Sequence, residues 1–322
     1  MRLPDYLLDA IDRETAGVER RIVARAASDL TERYKREDFA VAMPSEAHRA
    51  AYLSVRLPAT YAAGWRVFSE LRSLADGTEI NSLLDLGAGP GTAVHAAAEI
   101  FPSLHAATLV ESDPRWVEIG KRLLAESSMH AEWRQADLRA GQPLPPRDLV
   151  VISYALGELG PASAEVLLRQ AWSCANKFLA IIEPGTMRGF AVVNAARSSL
   201  ISAGAALLAP CPHALACPMA QAGDWCHFAQ RLERTAEHRR FKGGALGYED
   251  EKFSYVIAGR PPLAAAQARI VRHPRKHSGH VQLTLCTASG LEARTVTKSQ
   301  KDQYKKARKA EWGDAWNVEG KK

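Results

Sequence analysis

The sequence predicts an α/β fold in which helices cover both faces of a mostly parallel sheet. Strand-like runs recur along the chain at residues 82–87, 105–111, 130–137, 148–156 and 178–185. Helical stretches separate most of them, at residues 92–100, 114–127 and 161–175. This alternation is typical of parallel strands joined by crossover helices. Because 47% of the 322 residues are hydrophobic, the chain can bury a substantial core.

The first 80 residues are predicted to form a helical cap that precedes the sheet. In residues 14–36, apolar side chains recur about one helical turn apart: Val18, Ile22, Ala26, Leu30 and Tyr34. Residues 45–74 are expected to form two more helices, interrupted around Pro58.

The alternation of strands and helices ends after Gly185, and the chain is divided accordingly. We assign residues 81–187 to an α/β core and residues 188–250 to an insertion. Two β-rich stretches lie within residues 251–297 and are predicted to pair as a hairpin that completes the core sheet. Residues 298–322 are predicted to form a basic, loose C-terminal tail.

A glycine-rich turn follows the first predicted strand in "LLDLGAGPGTAVHAAAEIF" (83–101). Gly87, Gly89 and Gly91 have no Cβ, so the backbone can turn sharply and approach a ligand closely. The G-x-G-x-x-G pattern of dinucleotide-binding proteins would place a glycine where this chain has Thr92. NAD therefore stays an alternative ligand for this turn.

Carboxylates lie at the carboxyl ends of the first three predicted strands, where open α/β sheets bind ligands. Glu111 ends the second strand about 20 residues beyond the turn, the distance at which an acid accepts the hydroxyls of a ribose. Asp85 resembles the acid that opens the first motif of class I S-adenosylmethionine methyltransferases, and Asp137 with Leu138 resembles the adenine-contacting position of that class. The resemblance implies this fold class and S-adenosylmethionine as the cofactor. The predicted cofactor-binding residues are Asp85, Gly87, Ala88, Gly89, Gly91, Glu111, Asp137, Leu138 and Ser153.

No catalytic residue can be assigned from the segment after the fourth strand, "ISYALGEL" (152–159). Methyltransferases that act on exocyclic amines commonly carry an Asn/Asp/Ser-Pro-Pro-Tyr/Phe loop there, and this chain has Ser153-Tyr154 instead. Glu158 is an acid–base candidate, although a helix-capping or solvated carboxylate is the simpler interpretation. Cys174 falls inside a helical stretch and is expected to be a buried apolar side chain. A non-catalytic protein that retains the fold therefore stays open.

Three of the five cysteines fall within residues 209–230, in the spacing Cys-x5-Cys-x8-Cys. This spacing matches the closely spaced cysteine pairs of zinc fingers poorly. Cys211 and Cys217 are each followed by proline, as in some iron–sulfur loops. With Cys226 and the more distant Cys286, they would supply the four thiolates of a 4Fe-4S cluster. His213 and His227 lie in the same loop, so a zinc site of three cysteines and one histidine is the alternative.

The chain resembles the Rsm22-type family of ribosomal small-subunit methyltransferase-like proteins. The matching stretches are residues 51–63, 83–93, 181–190, 210–218, 225–228, 246–256, 279–286 and 304–314. The resemblance implies association with the small ribosomal subunit during assembly and a core that binds S-adenosylmethionine. It also implies a 4Fe-4S cluster held by Cys211, Cys217, Cys226 and Cys286.

The net charge of +6 makes nucleic acid a plausible partner. Basic side chains cluster in residues 268–280, as Arg269, Arg272, Arg275 and Lys276, with further charge in residues 239–244 and the tail. We expect contact with small-subunit rRNA and with ribosomal proteins. Because the sequence contains no run of about 18 apolar residues and no apolar secretory segment, we expect no membrane partner. We also expect a cytoplasmic, ribosome-associated location and a monomer when free.

Overall fold

The computed structural model of the protein describes residues 1–35, 43–75, 77–235, 239, 241, 246–263 and 265–317. The helices are α1 (Asp5–Thr15), α2 (Arg20–Lys35), α3 (Glu46–Ala51), α4 (Leu57–Leu74), α5 (Thr92–Ile100), α6 (Pro114–Leu123), α7 (Pro161–Cys174), α8 (Met187–Ser202), α9 (Pro218–Gln221) and α10 (Lys301–Lys309). Among these described helices, none combines the length and the apolar character that a membrane span requires.

The strands belong to two sheets. Those of the main sheet are β1 (Ser82–Leu86), β2 (Ala106–Glu111), β3 (His130–Gln135), β4 (Arg147–Ser153), β5 (Ala175–Pro184), β6 (Ala206–Ala209), β7 (Phe228–Glu233) and β8 (Tyr248–Gly259). Those of the second sheet are β9 (Ala268–Ile270), β10 (Arg275–Lys276), β11 (His280–Thr287), β12 (Gly290–Thr297) and β13 (Ala315–Trp316).

The main sheet has the strand order β3-β2-β1-β4-β5-β8-β6, and β7 also pairs with β8. Strands β1 to β5 are all parallel to one another, whereas β8 is antiparallel to its neighbours β5, β6 and β7. This arrangement confirms the predicted fold class. The carboxyl ends of β1, β2, β4 and β5 consequently meet at one edge of the sheet.

Helices bury both faces of the main sheet, which explains why its central strands are continuous apolar runs. Leu83 and Val151 pack in the cluster that includes side chains of α4, α5 and α6. The neighbouring residues Leu84 and Val150 point to the other face, where they pack in the cluster with α7 and α8. Side chains alternate because successive Cβ atoms of a strand project to opposite faces.

The N-terminal helices cover one side of this core. α3 continues through a π-helical turn (Tyr52–Arg56) into α4. Pro58 therefore does not end the helix but lies directly after the π-helical turn, where the helical hydrogen-bonding pattern is already irregular. On α2, Val23 and Leu30 are buried and Ile22 is exposed, so the buried face is rotated from the predicted one. The side chain of Tyr34 lies outside the described residues.

The C-terminal region forms a second, antiparallel sheet, and this differs from the predicted hairpin. β8 joins the main sheet, whereas β11 pairs with β9, β10 and β12. The hairpin between β8 and β11 does not form, because β11 finds its partners in its own neighbourhood, with β12 following after a tight turn. Residues 301–309 of the predicted loose tail form α10, whose Ala307 is buried against this sheet. Residues 318–322 of that tail lie outside the described residues.

The cysteine-bearing segment leaves the main sheet and returns to it along one strand. β6 pairs with residues 257–259 of β8, and β7 pairs with residues 248–253 of the same edge. Residues 210–227 connect the two strands. Ser254, between the two paired stretches, donates a hydrogen bond from its hydroxyl to the carbonyl of Cys226 (2.8 Å). The segment is thereby held against β8.

A buried ionic network joins the two sheets and the helical cap. Arg269 on β9 is 2% exposed and forms an ion pair with Glu70 of α4. Its guanidinium also donates to the carbonyls of Pro210 and Gly313, each at 2.8 Å. Tyr255 of β8 donates to the second carboxylate oxygen of Glu70 (2.6 Å). Arg269, which the sequence placed in a basic surface, is therefore a core residue.

Replacement of Arg269 by alanine is expected to lower the free energy of unfolding by about 3–5 kcal/mol, because Glu70 would remain buried without its cation. Urea denaturation of the two proteins measures this difference. Arg275→Ala removes an exposed charge from β10 and should change the free energy by less than about 0.5 kcal/mol. Equal losses in the two variants would contradict the structural role of Arg269.

Candidate functional site

A cavity of about 450 Å³ opens at the carboxyl ends of β1, β2, β4 and β5. The glycine turn after β1 and the segment after β4 form two of its walls, and Tyr52, Arg56 and Thr60 of the helical cap close another side. Small-molecule sites in proteins have volumes of about 300–1,000 Å³. The cavity is therefore large enough for a nucleoside-sized ligand.

The glycine turn is shaped by backbone conformations that other residues rarely adopt. Gly87, Gly89 and Gly91 have φ angles of 77°, 53° and 85°. A Cβ on Gly87 would lie 2.5 Å from the side chain of Ala155. A Cβ on Gly89 would meet no atom within 4 Å, so the open space beside Gly89 is available to a ligand.

Two carboxylates lie behind this turn. Glu111 is held in place because its Oε2 accepts the N–H of Gly89 (2.8 Å) and its Oε1 accepts the N–H of Asp113 (2.8 Å). Asp85 is 1% exposed, and its Oδ2 has no hydrogen-bond partner in the described part of the chain. Burial, with the nearby charge of Glu111, raises the pKa of Asp85 to about 7. An unpaired buried carboxylate is costly and is expected to attract a cationic or hydrogen-bond-donating ligand.

Eight of the nine predicted cofactor residues line this cavity. Asp137 is half-exposed at the rim, where its Oδ1 accepts the N–H of Arg139 (2.9 Å). Leu138 and Ser153 complete the wall. Gly91 is the exception: a Cβ there would point at Leu109 (3.3 Å), so this glycine begins α5 and packs against the core.

The segment after β4 has a strained backbone at Tyr154, whose φ is 56°. Left-handed conformations are uncommon for bulky residues and are found where the surrounding structure enforces them. The Tyr154 N–H donates to the carbonyl of Ile182 on β5 (2.7 Å), and its hydroxyl donates to Glu251 (3.1 Å). Glu251 in turn forms an ion pair with Arg56 of the helical cap (3.2 Å).

Glu183, at the end of β5, is a cavity residue that the sequence analysis missed. It is 3% exposed, and its Oε1 accepts the N–H of Gly157 (3.1 Å). Burial is the main reason why its pKa is raised to about 7. A signal was present, because "EPG" follows the fifth strand in the same way that the other acids follow theirs. Glu158 also lines the cavity at its more exposed rim, and partial burial with the charge of Glu111 raises its pKa to about 7.

The cysteine segment contributes to a second, much smaller cavity of about 30 Å³. Its wall includes Cys211 after β6, Cys217 at the start of α9, Cys226 before β7 and Cys286 on β11. Three of these cysteines lie in the segment that connects β6 with β7 of the main sheet, and the fourth lies on β11 of the second sheet. Cys174 lies elsewhere, at the end of α7, where its thiol donates to the carbonyl of Leu144 (3.3 Å).

Two buried guanidinium groups line the cysteine cavity, those of Arg197 and Arg269. Arg197 is 4% exposed and donates from Nε to the sulfur of Cys211 (3.3 Å). Burial, together with the neighbouring thiols, raises the pKa of Cys226 well above its usual range and that of Cys286 to about 12. The thiols of Cys226 and Cys286 are therefore protonated near neutral pH unless a cation binds to them.

The two histidines of the segment do not line this cavity. His213 Nε2 lies 3.7 Å from the sulfur of Cys286, and His227 stacks on Trp225 at a centroid distance of 5.3 Å. Within the described residues, no group of three or more His, Cys, Asp or Glu side chains is arranged to hold a metal ion. Neither the predicted iron–sulfur cluster nor the zinc alternative is thus established.

Positive charge is concentrated in the second sheet and α10. Residues 265–317 contain eleven Lys and Arg against four Asp and Glu, a net charge of +7, whereas the whole chain carries +6. Arg275 and Lys276 are exposed on β10, and Arg272 forms an ion pair with Asp224. Of the other predicted basic stretch, residues 239–244, the structure describes only residues 239 and 241.

Comparisons with known proteins relate most of the chain to one family. The family described as "Mitochondrial small ribosomal subunit Rsm22" matches residues 46–317. The ribosome assembly protein METTL17, mitochondrial, of Homo sapiens is 29% identical over 285 residues, covering 82% of this chain and 61% of that protein. The Rsm22-cox11 tandem protein 2, mitochondrial, of Schizosaccharomyces pombe is 27% identical over 333 residues, covering 84% of this chain and 43% of that protein. The chain thus spans less than two thirds of the length of these relatives.

Two of the solved structures that match the chain are titled as methyltransferases and have low sequence identity to it. An O-methyltransferase family protein from Burkholderia thailandensis has a TM-score of 0.44 and 14% identity over 68% of this chain and 59% of that chain. Precorrin-6y C5,15-methyltransferase from Geobacter metallireducens has a TM-score of 0.41 and 14% identity over 62% of this chain and 87% of that chain. Scores below 0.5 support no conclusion about function.

The predicted cytoplasmic location is wrong. The family description and the human and yeast relatives are all mitochondrial. The absence of an apolar secretory segment, on which the prediction rested, does not separate a cytoplasmic from a mitochondrial protein.

Without a ligand, Asp85→Asn is expected to stabilise the protein at pH 8. Burial raises the pKa of Asp85 from its usual value near 4 to about 7. The part of the free energy of unfolding that depends on a protonated Asp85 is therefore fully present below pH 4 and is lost as the pH rises through 7. The ionised carboxylate costs on the order of 4 kcal/mol at pH 8. Urea denaturation should therefore give a gain for Asp85→Asn that increases from pH 5 to pH 8. Asp12→Asn, on an exposed position of α1, is the control, and a gain independent of pH would contradict the assignment.

Proposed function

The chain belongs to the Rsm22 family of the mitochondrial small ribosomal subunit, and on this premise we propose that it binds S-adenosylmethionine, carries a 4Fe-4S cluster, and acts on or assembles the small ribosomal subunit. The match to the family model over residues 46–317 confirms the family that the sequence motifs predicted. The observation that carries the proposal is the cavity at the carboxyl ends of the strands. The glycine turn, Asp85 and Glu111 meet there around space for a nucleoside-sized ligand.

The charge of this cavity favours S-adenosylmethionine over NAD. S-adenosylmethionine carries a sulfonium and an ammonium group, whereas NAD carries a diphosphate. The wall nearest the turn presents the carboxyl groups of Asp85 and Glu111. These would attract a cation and repel a diphosphate. Glu111 would accept the ribose hydroxyls with its remaining lone pairs, and the unpaired Oδ2 of Asp85 would face the cationic methionine part.

Calorimetry should detect binding of S-adenosylmethionine to the purified protein. Glu111→Ala is expected to weaken this binding by about 1–3 kcal/mol, or roughly 5- to 150-fold, because ligand hydroxyls would lose their acceptor. Glu132→Ala removes a carboxylate exposed on β3 and should leave the affinity unchanged. Binding of NAD without a response to S-adenosylmethionine would refute this assignment.

The cysteine cavity supports the cluster part of the proposal. The four cysteines line one cavity, whereas His213 and His227 do not, which favours four thiolate ligands over three thiolates and a histidine. Arg197 and Arg269 would stabilise the negative charge of four thiolates, and the bound cluster would cross-link the two sheets through its iron–thiolate bonds.

Protein purified without oxygen is expected to be brown and to contain about four irons and four sulfides per chain. Changing any one of Cys211, Cys217, Cys226 and Cys286 to serine should remove the colour and expose the segment to protease, because ligation contributes to folding. Cys174→Ser is the matched control and should do neither. Metal analysis and limited proteolysis measure these effects. Colourless protein with one zinc that depends on His213 or His227 would contradict the cluster.

The basic region formed by the second sheet and α10 is the proposed contact with small-subunit rRNA. Clustered Lys and Arg side chains bind phosphates without reading the sequence, and such binding weakens as salt rises. Arg275 and Lys276 are exposed on β10, and Lys298, Lys301 and Lys305 extend the positive charge along the start of α10. Ribosomal proteins remain further predicted partners.

A second candidate function is a non-catalytic assembly factor that retains the fold. It is favoured by the segment after β4, which lacks the Asn/Asp/Ser-Pro-Pro-Tyr/Phe loop of amine methyltransferases. Cells that lack the gene, complemented with the wild type or with Glu111→Ala, separate the two functions. If the protein is an enzyme, the variant should fail to restore both rRNA methylation and subunit assembly. Full restoration of assembly without cofactor binding would favour the non-catalytic factor.

A further inference from the structure

The end of the cofactor cavity beyond β4 and β5 carries polar groups that cofactor binding does not explain. Tyr154 and Glu183 lie there on neighbouring strands, because Ser153 of β4 is paired with Ile182 of β5. Both residues line the cavity. In an open α/β sheet, this edge is where ligands react.

Tyr154 is fixed from three sides. Its backbone N–H is bound to Ile182, its hydroxyl is bound to Glu251, and Glu251 is paired with Arg56 of the helical cap. These contacts hold the residue at a φ of 56°, which an unconstrained tyrosine avoids. Strain of this kind is found at sites where a side chain must be presented in one orientation.

The carboxyl group of Glu183 is also oriented. The N–H of Gly157 donates to Oε1 (3.1 Å), and the backbone of Leu156 faces the same carboxyl group. Gly157 cannot readily be replaced, because a Cβ would lie 2.9 Å from Oε2 of Glu183. The carboxyl group is thus held against the segment in which other methyltransferases position the acceptor.

We propose that Glu183 is the general base of a methyl transfer in this cavity and that Tyr154 positions the acceptor. This inference rests on the proposed binding of S-adenosylmethionine. The N–H or O–H group of the acceptor forms a bond to the methyl carbon, and the carbon–sulfur bond breaks with its electron pair staying on sulfur. The proton of the acceptor passes to the Glu183 carboxylate and from there to water.

The surroundings of Glu183 suit a base that works near neutral pH. Burial raises its pKa to about 7, the charge of Glu158 at the rim adds to this, and Arg188 of α8 opposes it. Glu158, whose own pKa is raised to about 7, and Tyr154 are further titratable groups at this end of the cavity, and burial with the charge of Glu251 raises the pKa of Tyr154 well above its usual range. A base whose pKa lies near the working pH is ionised often enough to accept a proton and basic enough to hold it.

The test uses radioactive S-adenosylmethionine and small-subunit rRNA from cells that lack the gene. Glu183→Gln preserves an acceptor for the Gly157 N–H but cannot take up a proton. We expect it to lose about 100-fold or more of the methylation rate, with unchanged calorimetric affinity for S-adenosylmethionine and with a melting temperature no lower than that of the wild type. The wild-type rate should rise as the pH passes through 7.

Each other outcome has a defined meaning. A Glu183→Gln rate within threefold of the wild type would overturn the proposal and leave Glu183 as a support of the loop. Loss of activity in Glu158→Gln instead would make the rim carboxylate the base. If Glu183→Gln does not fold, a wild-type rate that is constant from pH 5.5 to 8 would still overturn the proposal. No methylation by the wild type would reject the enzymatic function itself, together with this inference.

Discussion

The buried guanidinium of Arg269 is the interaction on which the relative position of the two sheets depends. A charge with 2% exposure is tolerated only when neighbouring groups compensate it, and here Nε and Nη1 are bonded while Nη2 has no hydrogen-bond partner among the described residues. The partners of Arg269 come from four places: Glu70 on the helical cap, Tyr255 on β8 through Glu70, Pro210 at the start of the cysteine segment, and Gly313 beyond α10. Arg269 is also paired directly with Cys286 across β9 and β11. The ion pair therefore helps to fix Cys286, the one cysteine of the cavity that lies outside the segment.

Helix α8 relates the two candidate sites to each other. Its first turn, with Arg188 and Gly189, lines the cofactor cavity, and Val193 and Arg197 further along line the cysteine cavity. Trp225, next to Cys226, donates from its indole to the carbonyl of Gly185 (3.1 Å). Since Gly185 lies two residues after Glu183, the cysteine segment supports the turn that places this carboxyl group. Helix α8 and the cysteine segment thus connect the structure of the cysteine cavity with the position of Glu183 in the cofactor cavity.

The sequence predicted those parts of the site that depend on local pattern. Gly87 and Gly89 were identified because their conformations require glycine, and Asp85 and Glu111 because the strand period places them at one edge. Glu183 follows the same rule and was missed only because the rule was not applied to the fifth strand. Arg269 was predicted to lie on the surface because a buried arginine and an exposed one cannot be distinguished within a basic stretch of sequence. Their difference arises from Glu70, which is distant in sequence.

The distribution of charge completes the physical picture. Residues 265–317 carry a net charge of +7 and the whole chain +6, so the remainder of the chain carries −1. The cofactor cavity is lined by six carboxyl groups, those of Asp85, Glu111, Asp113, Asp137, Glu158 and Glu183, and by four guanidinium groups, those of Arg33, Arg56, Arg139 and Arg188. A polyanion is therefore attracted more strongly to the second sheet than to the cavity, whose carboxyl groups outnumber its guanidinium groups. For the proposed nucleic-acid partner, a group that lies away from the phosphates, such as an unstacked base, meets less repulsion on its way to Tyr154 and Glu183 than the phosphates do.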